Sequence, residues 1–176
     1  MFVTTARAIE VELIHACRRY GLDIVVYNPL AGGILTGRYK TQEIPAEGRY
    51  SDKTKTGLNY RNRYFKDATF DALRIIEPVV AKYGLTLTET AFRWLHHHSL
   101  LDFKADGRDG IIIGVSSFAQ LQNNLKDLEK GPLPDEVVKM LDEAWLVAKA
   151  TTANYWHLDL KYSYDTQEAL FGQKKA

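Results

Sequence analysis

Gly110-Ile111-Ile112-Ile113-Gly114-Val115-Ser116-Ser117-Phe118-Ala119-Gln120-Leu121-Gln122-Asn123-Asn124 is the stretch that decides how this chain folds. Its β-branched opening predicts a buried strand over 111–115. Gly114 and the paired serines predict a tight turn, and Leu121, Leu125 and Leu128, three and four residues apart, predict a helix. Orphan backbone N–H groups and the dipole at such a helix start stabilise an anion. The same residues also read as an ordinary strand-to-helix connection capped by Ser116 or Ser117. Ser116, Gln120, Asn123 and Asn124 follow at steps of four, three and one, which aligns their polar groups along one edge of the first turns, within reach of a nucleotide.

A second strand-and-turn lies upstream. Residues 4–20 carry Ile9, Leu13, Ala16, Cys17 and Tyr20 at helical spacing, with Gly21 where a C′ residue belongs, and so predict an amphipathic helix. Residues 23–27 predict a short apolar strand that Asn28-Pro29-Leu30-Ala31-Gly32-Gly33 breaks at once. The paired glycines let backbone approach a ligand closely.

Residues 38–66 turn polar, yet hold Tyr39, Tyr50, Tyr60, Tyr64, Arg38, Arg49, Arg61 and Arg63. A connection of this length without periodicity reads either as a lid, its arginines suited to gripping phosphate or carboxylate, or as a solvated loop whose tyrosines pack locally. Beyond it, Phe70, Leu73, Ile76, Val80 and Tyr83 predict a helix that carries Pro78 near its end. Thr86-Leu87-Thr88-Glu89 forms a capping box for another helix, with apolar bulk from Phe92, Trp94 and Leu95. His96-His97-His98 does not suit a metal, because adjacent helical residues diverge and no Cys, Asp or Glu pattern completes a ligand set. Gly131-Pro132 ends the helix after the central strand; Pro134 starts the next, with Val137, Val138, Leu141 and Trp145 inward. From Thr151 onward, Trp156 and Tyr162 show no period, and an irregular tail is expected.

With 176 residues, 45% hydrophobic and 26% charged, the chain has the composition of one folded domain, 1–176. A formal charge of +1 gives no bulk reason for nucleic-acid or membrane partners, and no apolar run reaches bilayer length. The lone Cys17 excludes an internal disulfide framework and suits the cytoplasm. Two buried-type strands, each followed by a Gly-bearing turn, form the pattern of α/β proteins built from βα units. Two parallel strands do not make a sheet that can be covered alone.

Tyr27-Asn28-Pro29-Leu30-Ala31-Gly32-Gly33-Ile34-Leu35-Thr36-Gly37-Arg38, then Gly48-Arg49, Tyr60-Arg61-Asn62-Arg63-Tyr64 and Ser116-Ser117 with Gln120, Asn123 and Asn124, resemble the aldo-keto reductases, nearest their aflatoxin-aldehyde reductase branch. The resemblance runs over residues 4–155 and implies the C-terminal half of a (β/α)8 TIM barrel, with a lid over residues 38–66. It implies NADPH as cofactor and a small-molecule carbonyl as substrate. On the matching residues, Tyr27 would lie beside the nicotinamide, Asn28 to Arg38 would line the cofactor, and Arg49 would reach it from the lid. Ser116, Ser117, Gln120, Asn123 and Asn124 would hold the adenosine 2′-phosphate region, while Tyr60 and Arg63 would contact substrate. Asn123 stands where several relatives have glutamate, and His157 where related enzymes carry a substrate arginine.

The family's catalytic Asp, Tyr, Lys and His belong to the first half of the barrel, and nothing here matches them, so no catalytic residue is assigned. Three functions stay open at this point: an NADPH-dependent reductase by descent, of a kind met in fungal secondary metabolism; a catalytically silent NADP-binding or interaction module; and a truncated, non-functional fragment. A partial sheet of this kind is expected to expose an apolar flank and self-associate, as a homo-oligomer or otherwise.

Overall fold

Two three-residue strands, β1 (Val25–Tyr27) and β2 (Gly110–Ile112), pair in parallel with Val25 opposite Gly110, Val26 opposite Ile111 and Tyr27 opposite Ile112. The computed structural model describes residues 6–103, 108–154, 163 and 165–172. Around this pair, in chain order, run a 3-10 turn (Ala8–Glu10), α1 (Leu13–Arg19), β1, a 3-10 stretch (Ala31–Thr36), α2 (Lys55–Tyr64), α3 (Asp67–Lys82), α4 (Leu87–His97), β2, α5 (Phe118–Glu129), α6 (Asp135–Lys149) and α7 (Thr166–Phe171). The strands adjoin in parallel as the sequence predicts, but each is shorter than expected.

Asp109 holds the register. Its side chain is 1% exposed, and Arg18 forks onto both carboxylate oxygens. The backbone N–H of Ile24 donates to Oδ1 at 2.9 Å and that of Asp102 to Oδ2 at 2.7 Å. One residue on, Gly110 N–H donates to Ile24 O at 2.9 Å and extends the ladder. Burial alone would raise the Asp109 pKa, but the Arg18 and backbone donors outweigh it and hold the carboxyl below its ordinary range.

The first helix is shorter than residues 4–20. It begins only at Leu13, behind the 3-10 turn, and the Glu12 side chain at its N-cap does not cap the helix. No Ser, Thr, Asn or Asp between Ala6 and Val11 could cap an earlier start. Its end follows the sequence: Gly21 takes φ 65°, and Leu22 N–H closes onto Cys17 O at 2.9 Å in a Schellman arrangement. Tyr20, expected on the apolar face, is 74% exposed.

Segment 38–66 departs further from expectation, because it contains α2. Thr54 Oγ1 accepts from Gly57 N–H at 3.0 Å to start this helix. Arg61 Nη1 then ties it down by donating to Tyr50 O and Ser51 O, each at 2.6 Å. Tyr50 and Tyr64 are buried, and Tyr50 stacks on Phe65 with ring centroids 4.4 Å apart. The tyrosines therefore pack locally.

The long helices follow the sequence closely. α3 buries Phe70, Leu73, Ile76 and Val80, runs through Pro78 to Lys82, and packs on α6, which buries Val137, Leu141, Ala144 and Ala148. Tyr83 lies at the rim instead, its hydroxyl donating to Glu136 at 2.7 Å. Trp145 is half-buried. Thr86 Oγ1 caps α4 by accepting from Glu89 N–H at 3.0 Å, while Phe92, Trp94 and Leu95 sit in the core. The histidines at its end serve the connections to α5 and α6: His97 Nε2 donates to Lys130 O at 2.7 Å, and His98 Nε2 accepts from Leu133 N–H at 2.9 Å. The 151–176 tail, expected to be irregular, contains α7; Trp156, His157 and Tyr162 lie outside the described residues.

Among the described residues, nothing covers one face of the sheet. Val26 is buried in the core, whereas Val25 and Ile112, pointing the other way, are 59% and 57% exposed. α5 also departs from expectation: among its residues only Asn124 is buried, with Phe118 72% and Leu125 47% exposed.

Two outcomes follow from these contacts. Asp109→Ala, which leaves two backbone donors and Arg18 without their acceptor, should cost about 3 kcal/mol or more by denaturant melt, and Asp109→Asn less. Because the folded carboxyl titrates below its ordinary value of 3.8, its contribution is complete above that value and fades as pH falls beneath it; the Asp109→Ala protein should lack that component of acid sensitivity. Separately, sedimentation at rising concentration should show self-association through the bare face, weakened by Val25→Thr with Ile112→Thr. A concentration-independent monomer would overturn that expectation.

Candidate functional site

The C-terminal ends of β1 and β2 open into one cavity of about 860 Å³, to which Gly32 and Gly33 contribute from one turn and Gly114 from the other. Parallel pairing puts both turns on the same edge of the sheet, the edge where α/β proteins place ligands.

The first turn is built from left-handed backbone. Asn28 has φ 59° and Ala31 φ 50°, uncommon for residues with a Cβ, followed by Gly32 at 68° and Gly33 at 111°. Ala31 N–H closes onto Asn28 O at 2.9 Å, and the buried Tyr50 hydroxyl donates to Ala31 O. Thr88 Oγ1, on α4, donates to Leu35 O at 3.2 Å. Tyr60 backs the turn from outside the cavity lining: its hydroxyl donates to Asn28 Oδ1 at 3.2 Å and accepts from Arg49 Nη1 at 3.1 Å. A Cβ on Gly32 would lie 2.5 Å from the Tyr60 ring, so only glycine fits. Burial pushes the Tyr50 and Tyr64 hydroxyls well above the ordinary phenol range.

The second turn is closed on itself. Gln120 Oε1 accepts from Ser116 N–H at 2.9 Å and from Ser116 Oγ at 3.1 Å, and Ser117 Oγ caps α5 by accepting from Gln120 N–H at 3.2 Å. Ser116 and Ser117 do not line the cavity, whereas Gln120, Asn123 and Asn124 do. Asn124 is 6% exposed, and its carboxamide has no hydrogen-bond partner among the described residues.

Of the remaining sequence-predicted residues, Tyr27, Asn28, Pro29, Leu30, Thr36 and Arg49 line the cavity. Ala31, Ile34 and Leu35 are core residues beneath the turn. Gly37, Arg38, Tyr60 and Arg63 stand outside the lining, with Arg63 6.0 Å from the Tyr60 ring centroid. Sequence reasoning missed a whole wall: Thr86, Thr88, Glu89 and Phe92 from the start of α4, and Lys126, Asp127 and Lys130 farther along α5. The signal for the latter was available, since 127 and 130 continue the helical stripe of 120, 123 and 124. Lys130 Nζ lies 3.0 Å from Glu89 and 2.9 Å from Asp127, so the acidic groups of this wall are paired, Glu89 also with Arg93 at 2.8 Å.

The sequence profile of the Aldo/keto reductase family matches residues 1–146, and the chain belongs to that family. Among its relatives, an aldo-keto reductase of Pseudocercospora fijiensis is 45% identical over 85% of this chain and 50% of its own length. The human aflatoxin B1 aldehyde reductase member 2 is 39% identical, over 89% of this chain and 45% of its own. A glycerol dehydrogenase from Gluconobacter oxydans shares the fold, with a TM-score of 0.55 over 94% of this chain and 44% of that one, at 18% identity. The chain thus spans about half the length of the relatives it matches. No described helix is long and apolar enough to cross a membrane.

Gly32→Ala should destabilise the fold by about 2–4 kcal/mol, combining left-handed strain with a clash against Tyr60. Combining it with Tyr60→Ala removes the clash but not the strain, so thermal melts of the pair should recover part of the loss.

Proposed function

We propose that the chain forms the cofactor-holding side of an NADPH-dependent aldo-keto reductase that reduces an aldehyde or ketone to its alcohol, folded as the C-terminal half of a (β/α)8 barrel. The observation that carries this reading is the shared cavity: the left-handed 28–33 turn and the start of α5 open into the same space, with the buried, unpartnered Asn124 beside it. A volume of about 860 Å³ lies in the range of small-molecule sites and accommodates an extended dinucleotide. The donors fit as well, because Arg49 and the carboxamides of Asn123 and Asn124 suit phosphate and base edges, and the nearby carboxylates are paired.

In this reading Tyr27 and the 28–33 turn flank the nicotinamide, Arg49 meets the phosphates, and Asn123 and Asn124 take the adenosine end. NADPH bound there supplies the hydride for the carbonyl carbon. Tyr60, fixed between Arg49 and Asn28, holds the turn against the cofactor, and Arg63 behind it faces the substrate side.

A second reading, a nucleotide-holding module without turnover, is favoured by the tyrosines. Reduction needs a proton donor matched to neutral pH, whereas burial disfavours ionisation of Tyr50 and Tyr64, and Tyr50 already donates to Ala31 O. Calorimetric titration should show NADPH bound at least about tenfold more tightly than NADH, as charge-assisted phosphate contacts allow. Equal affinity would sink the NADPH assignment. Following NADPH oxidation with a panel of aldehydes separates the readings, since binding without oxidation selects the silent module.

A further inference from the structure

Two residues of the 28–33 turn hold left-handed backbone although they carry a Cβ, Asn28 at φ 59° and Ala31 at φ 50°. Asparagine visits that region with some ease, but alanine is strained there and stays only where its surroundings over-determine it. Both are met by a tyrosine hydroxyl from segment 38–66. Tyr60 donates to Asn28 Oδ1 at 3.2 Å and so holds a side chain, whereas Tyr50 donates to Ala31 O and so holds the peptide plane itself.

The surroundings of Tyr50 leave its hydroxyl little freedom. The residue is 0% exposed, its ring lies stacked on Phe65, and Tyr39, Tyr60 and Tyr64 meet it edge-on at centroid distances of 5.0, 5.7 and 6.4 Å. Its own backbone carbonyl accepts from Arg61 Nη1 at 2.6 Å, which anchors it to α2. Burial keeps the hydroxyl protonated, hence a donor. The same oxygen lies 3.0 Å from where a Cβ on Gly32 would stand, so it sits directly against the 31–32 peptide. One planar unit carries Ala31 C=O and Gly32 N–H pointing opposite ways, and gripping the carbonyl therefore also aims the N–H. Ala31 is core, but Gly32 and Gly33 line the cavity.

We infer that Tyr50 is a positioning residue for nucleotide binding: through Ala31 it sets the peptide plane that the nicotinamide half meets, an inference that rests on the nucleotide reading above. Without the hydroxyl, nothing offsets the strain at Ala31 and the 31–32 peptide rotates away from its binding orientation. The start of α5, which takes the adenosine half in that reading, belongs to the other turn and keeps its shape. Loss of this one bond therefore affects one half of the dinucleotide only.

The test uses the full chain, with NADPH and adenosine 2′,5′-bisphosphate as probes measured by calorimetry. Tyr50→Phe keeps the ring and deletes one hydroxyl; it should weaken NADPH by about five- to tenfold and leave the bisphosphate within about twofold. Adding Ala31→Gly removes the left-handed penalty and should recover about half of the loss or more on a logarithmic scale, a rescue that a purely structural role of the hydroxyl does not produce. Unchanged NADPH affinity in Tyr50→Phe, equal losses for both probes, or no recovery in the double variant would overturn the role of Tyr50. Should Tyr50→Phe alone fail to fold, the double variant decides: NADPH affinity within about threefold of wild type supports the inference, and weaker binding or a failure to fold defeats it. The two levels fail differently. A wild-type chain that does not bind NADPH defeats the nucleotide reading and this inference with it, whereas a wild type that binds it, with Tyr50→Phe binding equally well, defeats this inference alone.

Discussion

The site exists because one buried carboxylate fixes the register of two strands. Asp109 takes the Arg18 fork from the end of α1, the Ile24 N–H from the entrance to β1 and the Asp102 N–H from the segment behind α4. With Gly110 then bonded to Ile24, the ladder sets Tyr27 opposite Ile112. The turns that follow therefore leave from the same height on the same edge. A slip by one residue would exchange the faces of β2, sending Ile111 out of the core and separating the two turns. A charged group is used here at a real desolvation cost, which its donors offset.

What the sequence makes legible is what local chemistry decides. β-branched runs ended by Gly-bearing turns mark both strands, Thr86 and Ser117 mark caps, and the spacing of Phe70, Leu73, Ile76 and Val80 marks α3, because each signal lies within a few residues of what it specifies. α2 was hidden for the opposite reason. Lys55–Tyr64 lacks an apolar period and contains Gly57, and it is held by contacts made elsewhere: Arg61 on the carbonyls of Tyr50 and Ser51, and Gly57 so close to Ser51 O that a Cβ would lie 1.8 Å away. Tertiary packing overrides propensity there.

The site was half legible on the same grounds. The 28–33 turn announces itself through Pro29 and its glycines, but polar residues at a helix start cannot tell a reader whether they face a ligand or each other. Ser116 and Gln120 chose each other, and the cavity wall passed to residues two turns farther along α5 and to α4. That α4 lies across from α5 is a consequence of the fold that no spacing within either helix encodes. Glu89 shows the difference well: its backbone N–H takes the expected cap from Thr86, while its carboxylate leaves the capping box to pair with Arg93 one turn along α4 and with Lys130 across that groove.

Cavity and bare sheet face share a border, and this couples binding to association. Tyr27 and Ile112 line the cavity, and Ile112 also belongs to the uncovered face with Val25. Any surface that covers Val25 and Ile112 therefore also walls the strand-end side of the cavity, removing water from the place where electrostatic and apolar contacts to a ligand would be made. Linkage then requires the reverse effect: a ligand that binds the covered form better must strengthen the covering by the same factor. The exposed apolar face and the cavity are in this sense one thermodynamic unit, and the affinity of the chain for any nucleotide is a property of that unit rather than of the lining residues alone.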